Sequence, residues 1–136
     1  MKQVTAVIID NYSFTLEPHR SGYRVLLGFQ LMWLHCPEIA REARPGQFVM
    51  VRCGEECTLS RPFSIHQVNK KGDMALWFAI WEGGKGTKWL SQRKVGDSID
   101  LLGPLGNGYD IQSDSPKLLL AGGVGIAPLY LSLIHI

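Results

Sequence analysis

Six short β-prone runs, each fenced by turn residues, constrain this chain more than any other feature. Val4–Asp10, Tyr23–Met32, Gln47–Cys53, Pro62–Val68, Met74–Trp81 and Ser98–Leu102 combine β-branched or aromatic residues with two-residue alternation. Between them stand Pro45-Gly46, Asn69-Lys70-Lys71-Gly72-Asp73 and Val95-Gly96-Asp97. These suit chain reversals, because Gly accepts positive φ and Asn and Asp bond to their own backbone. Strands of this length and spacing predict an antiparallel barrel. One helix interrupts them. Thr87–Arg93 follows Gly86, with Arg93 and Lys94 at the end where the helix dipole favours cations.

The pattern changes after Gly108. Ser113-Asp114-Ser115-Pro116 is a short polar connection, and Lys117–Ala121 is a continuous apolar run, as expected of a strand buried on both faces. Gly122-Gly123-Val124-Gly125 follows, with Pro128 placed for the first turn of a helix. This is the opening of a doubly wound α/β domain. The expected organisation is a barrel over residues 1–112 and the first βα unit of an α/β domain over residues 113–136. Leu131–Ile136 is nearly all apolar and carries no stop signal. The expectation is therefore a piece of a longer protein, with a few foreign residues at its end.

Composition removes several classes of function. The 136 residues form one domain by length, and 46% of them are hydrophobic, enough for a core without disulfides or metal. A net charge of +2, with no basic run interleaved with aromatics, argues against nucleic acid. No window approaches the roughly 20 apolar residues of a membrane span, and the start lacks a secretory apolar stretch. Cys36, Cys53 and Cys57 are odd in number and read as reduced thiols of a cytoplasmic protein. They are too few, even with His35 and His66 nearby, to suggest a metal site. No Ser or Cys has an identifiable base, so no catalytic residue is assigned. Asn11-Tyr12-Ser13 fits a glycosylation triplet, but no secretory signal accompanies it.

Four motifs carry the chemistry. Arg61-Pro62-Phe63-Ser64 offers a planar cation suited to phosphate, an aromatic ring, and a hydroxyl beside a backbone N–H. Gly83-Gly84-Lys85-Gly86-Thr87 places bare amides at a helix start, where small residues admit an anion. Gly103-Pro104-Leu105-Gly106-Asn107-Gly108-Tyr109 is a turn-rich exit from the last strand. Gly122-Gly123-Val124-Gly125-Ile126-Ala127-Pro128 has the strand-before, helix-after context of a dinucleotide turn without the GxGxxG form. The Gly-Lys-Gly-Thr run also suggests a phosphate loop of the kinase type. That pattern needs a Gly five residues before the Gly-Lys pair, and Gly84 minus five is Ala79.

In this order and spacing the motifs resemble the ferredoxin–NADP reductase family. The GPLGNGY form is most similar to the electron-transfer subunits of dihydroorotate dehydrogenase B. The resemblance implies FAD as cofactor, with Arg61 on the pyrophosphate, Phe63 against the flavin or ribityl, and Ser64 near the reactive N5. Pro62 belongs to the same motif. It implies further contacts from the strand Ala79-Ile80-Trp81, one residue out of step with the family pattern, which often has an arginine after its aromatic there. Gly84, Gly86 and Thr87 match the pyrophosphate turn, and Gly122, Gly123 and Gly125 the nicotinamide turn. It also implies NAD(H) as substrate of the intact protein, an FMN-containing dihydroorotate dehydrogenase catalytic subunit as partner, and a [2Fe-2S] cluster held by cysteines outside this stretch. Two other readings stay open: a hydrogenase- or sulfite-reductase-type subunit of the same superfamily, and a cofactor-free barrel acting as an interaction module.

Overall fold

The computed structural model describes residues 1–136 throughout. Six strands form a closed antiparallel barrel: β1 (Lys2–Ser21), β2 (Arg24–His35), β3 (Phe48–Val51), β4 (Arg61–Val68), β5 (Asp73–Trp81) and β6 (Ser98–Leu105). Their order around the barrel is β1-β2-β5-β4-β3-β6. Closure pairs every strand on both sides within the barrel, while the outer edge of β1 beyond Val7 pairs with β2 alone. Alternation decides which side chains fill the interior. Ala6 and Ile8, Met32 and Leu34, Val49 and Val51, and Leu76 with Ile65 are all fully buried.

The first strand runs well past its pairing with β6, which ends at Val7. Residues Asp10–Ser21 pair with Arg24–Trp33 to make a hairpin arm. Gly22 alone at its tip has positive φ, +64°, as a two-residue turn with glycine first requires. Gly28 lies where β1 and β2 crowd, and a β-carbon there would meet the Phe14 carbonyl oxygen at 2.4 Å. The predicted first strand stopped at Asp10; alternation of Tyr12, Phe14 and Leu16 with polar neighbours carries it on.

Two short helices decorate the barrel rather than the single one predicted. α1 (Pro37–Ala40) buries Ile39 and Ala40, and α2 (Lys85–Ser91) buries Gly86 and Leu90. The last turn of α2 is tied to β1 by Asn11, whose Nδ2 donates to the carbonyls of Leu90 (3.2 Å) and Arg93 (2.8 Å). Asn11 in turn accepts from the fully buried Gln30 at 2.6 Å, and Ser13 donates to Gln30 at 2.9 Å. This chain of bonds satisfies a polar group that would otherwise be costly to bury.

Residues 113–136 depart from expectation. Lys117–Ala121 forms no strand, and Leu118 and Leu120 are 81% and 77% exposed. An apolar run becomes a buried parallel strand only when neighbouring strands bond and cover it, and no strand lies beside this one. Gly123–Ile126 forms a 3-10 turn, and α3 (Leu129–His135) follows Pro128 as predicted. The segment docks on the barrel through Leu131, which is fully buried in the hydrophobic core.

Candidate functional site

A cleft of about 900 Å³ crosses the outer face of the barrel between β4, β5, α2 and the 3-10 turn. On β5, Trp77, Phe78, Ala79 and Trp81 line it, while Ile80 packs against the hydrophobic core. On β4, Arg61, Pro62, Phe63 and Ser64 line it. The antiparallel register Ile65↔Leu76 brings the Ser64 and Trp77 stretches side by side.

Phe63 lies at the boundary between cleft and core. It borders the cleft but is only 8% exposed, with its ring 5.1 Å from Phe78 in an edge-on pair within the core. The interior alternation of β4 takes the ring inward. Indoles dominate the aromatic surface at the cleft instead. Trp77 stacks on Phe29 at 5.3 Å with 8° between planes, and Phe14 leans on it at 5.4 Å. Its Nε1–H is buried without a hydrogen-bond partner. Such a donor is costly unless something accepts from it.

The other end of the cleft is cationic. Arg61 is exposed and donates through Nη1 to the Leu59 carbonyl at 2.8 Å, which leaves most of its donor fork free. Beside it, Gly84 begins α2 with extended backbone and no side-chain cap. Thr87 Oγ1 donates back to the Gly84 carbonyl at 3.3 Å. The amides of Lys85, Gly86 and Thr87 donate to no backbone carbonyl, as first-turn amides do not. Gly83 turns the chain with φ of +78°. Arg24, Arg61 and Lys85 line the cleft, and no carboxylate does. Positive potential and bare amides thus meet on one patch.

The remaining wall is Val124, Gly125, Ala127 and Pro128. His66 of β4 holds it in place: Nδ1 lies 3.0 Å from the Ala127 carbonyl, and the ring is 5.0 Å from that of Tyr130. Burial pushes the His66 pKa down, partly offset by that bond, which favours the neutral ring with Nδ1–H donating. Gly122 and Gly123 lie on the same segment but away from the cleft.

Ten of the thirteen residues singled out in the sequence therefore meet at one cleft, and Ile80, Gly122 and Gly123 do not line it. Arg24, Trp77, Phe78, Lys85 and, in the far wall, Val124, Ala127 and Pro128 were not singled out as binding residues. Trp77 could have been found by stepping back two residues at a time from Trp81. Arg24 had no local signal, because only the neighbouring of β2 and β5 brings it there. The kinase-type phosphate loop fails on geometry, since Ala79 lies inside β5 where that loop needs a turn. The cysteines are core residues. Burial raises the Cys53 thiol to about 11, helped by Cys57 and opposed by Arg61, and burial likewise raises Cys36 to about 11. Both thiols are protonated at neutral pH.

Comparison with known proteins bears on the same residues. The model of the oxidoreductase FAD-binding domain matches residues 30–109. The electron transfer subunit of dihydroorotate dehydrogenase B (NAD(+)) from Desulforamulus reducens is 48% identical over 111 residues, covering 79% of this chain and 42% of that protein. Its counterpart from Bacillus pumilus is 47% identical over 90 residues, covering 62% and 34%. The chain thus spans well under half the length of these relatives. Among solved structures, an NADH-dependent reduced ferredoxin-NADP oxidoreductase aligns at TM-score 0.63 and 29% identity, over 77% of this chain and 34% of that one. The ferredoxin-NADP+ reductase of Plasmodium falciparum aligns at TM-score 0.74 over 98% of this chain and 52% of that one; at 17% identity it speaks to the fold alone.

Proposed function

We propose that this chain, which belongs to the oxidoreductase FAD-binding domain family, holds FAD in the cleft beside α2 and serves as the flavin-binding part of an electron-transfer subunit. The observation that carries this reading is the meeting of Arg61 with the Gly84–Thr87 turn. A fixed cation and open amides lie together where a dianionic pyrophosphate needs both. The cleft volume falls within the ~300–1,000 Å³ of small-molecule sites. Gly86 leaves main chain where a β-carbon would stand 3.3 Å from Cys53 Cβ. The unpartnered Trp77 Nε1–H supplies a donor in want of an acceptor. The residues present fit the cofactor.

In this reading Arg61 and Lys85 bind the pyrophosphate with the amides of Gly86 and Thr87. Gly84 keeps the approach open. Pro62 and Ala79 form a flat apolar floor, and Ile80 contributes main chain only. Ser64 and Trp77 donate to the polar edge of the ring, while Phe63 supports the floor from within. Gly125 and its neighbours close the far wall against water. When bound, FAD supplies hydride acceptance and one-electron release. The protein's part is to orient the ring and set its hydrogen bonds. No acid–base residue is needed.

The relatives' names suggest the wider setting. The intact subunit passes electrons between NADH and an FMN-containing dihydroorotate dehydrogenase subunit in pyrimidine biosynthesis, in the cytoplasm. Residues 1–112 form its FAD-binding domain, and residues 113–136, with Gly122, Gly123 and Gly125, open its NAD-binding domain. A [2Fe-2S] cluster would be held by cysteines other than Cys36, Cys53 and Cys57, which are buried in the barrel. No helix here is long and apolar enough to cross a membrane. Titration with FAD, followed by quenching of its fluorescence, tests the reading. Saturable binding is expected. Binding of ATP without FAD would favour the phosphate-loop alternative.

A further inference from the structure

The outer edge of β1 is open where the arm leaves the barrel. Its ladder with β6 ends at Val7, and the last backbone bonds on that side join Ile8 to Gly96 and Asp97. From Asp10 to Thr15 the strand keeps unbroken register with β2 on its inner side, Asp10↔Trp33 to Thr15↔Gly28. On its outer side this stretch makes no backbone hydrogen bond. Strand geometry then points every second residue's N–H and C=O into solvent. A register shift follows Thr15, and Pro18 beyond it has no N–H to offer. We propose that this edge is the contact surface for a second copy of the chain. The two edges would run antiparallel about a two-fold axis at Ser13 and join the two arms into one sheet.

The composition of the edge selects a copy over another partner. Strand edges are commonly guarded by charge or proline. Asn11–Leu16 has neither. It gives a charged partner nothing to pair with, and two copies no repulsion. Tyr12 and Phe14 stand on its outward face, 49% and 48% exposed. Phe14 leans there on Trp77, with 5.4 Å between ring centroids, so an apolar stripe already runs to the edge. Asn11 and Ser13 point the other way, toward Gln30. A second copy continues the stripe only in a register that keeps outward residues opposite outward ones. With the axis at Ser13, Tyr12 of each copy lies opposite Phe14 of the other. Two cross-strand aromatic pairs form, and each residue of the contact is used twice. An axis at Tyr12 would set Phe14 opposite Asp10. An axis at Phe14 would bring in Leu16, which lies past the register shift.

The test is sedimentation velocity on the full chain and on Tyr12→Lys and Phe14→Glu, from ~1 μM to ~1 mM, the range in which a small, transient interface associates. The wild-type mass should climb from one chain toward two. Each variant alone loses both aromatic pairs, and its association should weaken ~2- to 30-fold. An equimolar mixture of the two variants should recover association. One cross-strand pair then carries opposite charges, and the other is again Tyr12 against Phe14. Both side chains are about half exposed, so far-UV circular dichroism should match across the three proteins. A wild-type chain that stays monomeric at every concentration would overturn the proposal. So would association that neither variant weakens, which would place the contact on exposed apolar residues such as Leu118, Leu120 and Ile134. Weakening in both variants without recovery in the mixture would overturn the antiparallel register at Ser13, and the proposal with it.

Discussion

The main chain of Gly86 and the stem of Arg61 pack so closely that a β-carbon on Gly86 would stand 3.4 Å from Arg61 Cγ. The first residue of β4 and the first turn of α2 are thus one unit, although 25 positions separate them in the sequence. The cation is held beside the amides before any ligand arrives, which lowers the ordering cost of binding an anion there.

Gly86→Ala separates stability from binding. Gly86 is helical and not at positive φ, so alanine gains about 1 kcal/mol of helix propensity. The new methyl must push on Cys53 and Arg61, which offsets that gain. We expect a urea midpoint close to that of the wild-type chain, with FAD affinity lowered several-fold. A variant with unchanged affinity would show that the Arg61 stem can yield without moving its guanidinium.

Arg61→Ala should weaken FAD more than Arg61→Lys, and both should weaken it. A charge-assisted hydrogen bond is worth roughly 1.5–3 kcal/mol, or ~10–150-fold in affinity. Lysine keeps the charge and loses the fork. Fluorescence titration checks this, and equal affinities in all three proteins would return Arg61 to an ordinary surface role.

Stability should fall in weak acid because of His66. Its folded pKa is held below the ordinary 6.5 by burial. The unfolded chain therefore takes up the proton first, and stability present above pH 6.5 is lost as the pH falls through the folded pKa. Asp73 acts lower down. Its carboxyl is held below the ordinary 3.8, chiefly by its bond from His35, so its contribution is lost only beneath that value. Urea midpoints between about pH 5 and pH 8 should decline on the acid side for the wild-type chain, and less steeply for His66→Gln. Parallel pH profiles would exclude His66 as the cause.

Much of this architecture was legible in the sequence, because local chemistry and global fold agree over most of the barrel. Pro45-Gly46, Asn69–Asp73 and Val95–Asp97 reverse the chain as their turn chemistry demands, and β3 to β6 lie within a few residues of the predicted runs. The first strand is predicted to end at Asp10, a strand-disfavouring residue, although Tyr12, Phe14 and Leu16 keep the two-residue period beyond it. Lys117–Ala121 misled for the opposite reason. Its composition is that of a buried strand, but burial depends on neighbours that composition does not record. Ile80 and Trp77 differ from expectation by the parity of one strand, which pairing fixes and a motif match does not. Arg24 and His66 act through contacts across the sheet order, and nothing local announces either.

Activity with NADH should be absent or very slow in this chain even with FAD bound. Residues 113–136 supply a 3-10 turn and one helix but no strand, so no adenosine pocket is formed for a nicotinamide dinucleotide. Binding of that remote half is what holds the reacting ring in place. Stopped-flow mixing with micromolar NADH should leave flavin absorbance nearly unchanged on the second timescale. Fast bleaching would show that this stretch suffices.

The most direct measurement is the flavin content of the purified chain after incubation with FAD and passage through a desalting column. We expect yellow protein with flavin and polypeptide near equal molar amounts, and loss of most of that flavin in Arg61→Ala. A colourless wild-type protein, with circular dichroism showing an intact β-barrel, would contradict the assignment of the cleft to FAD.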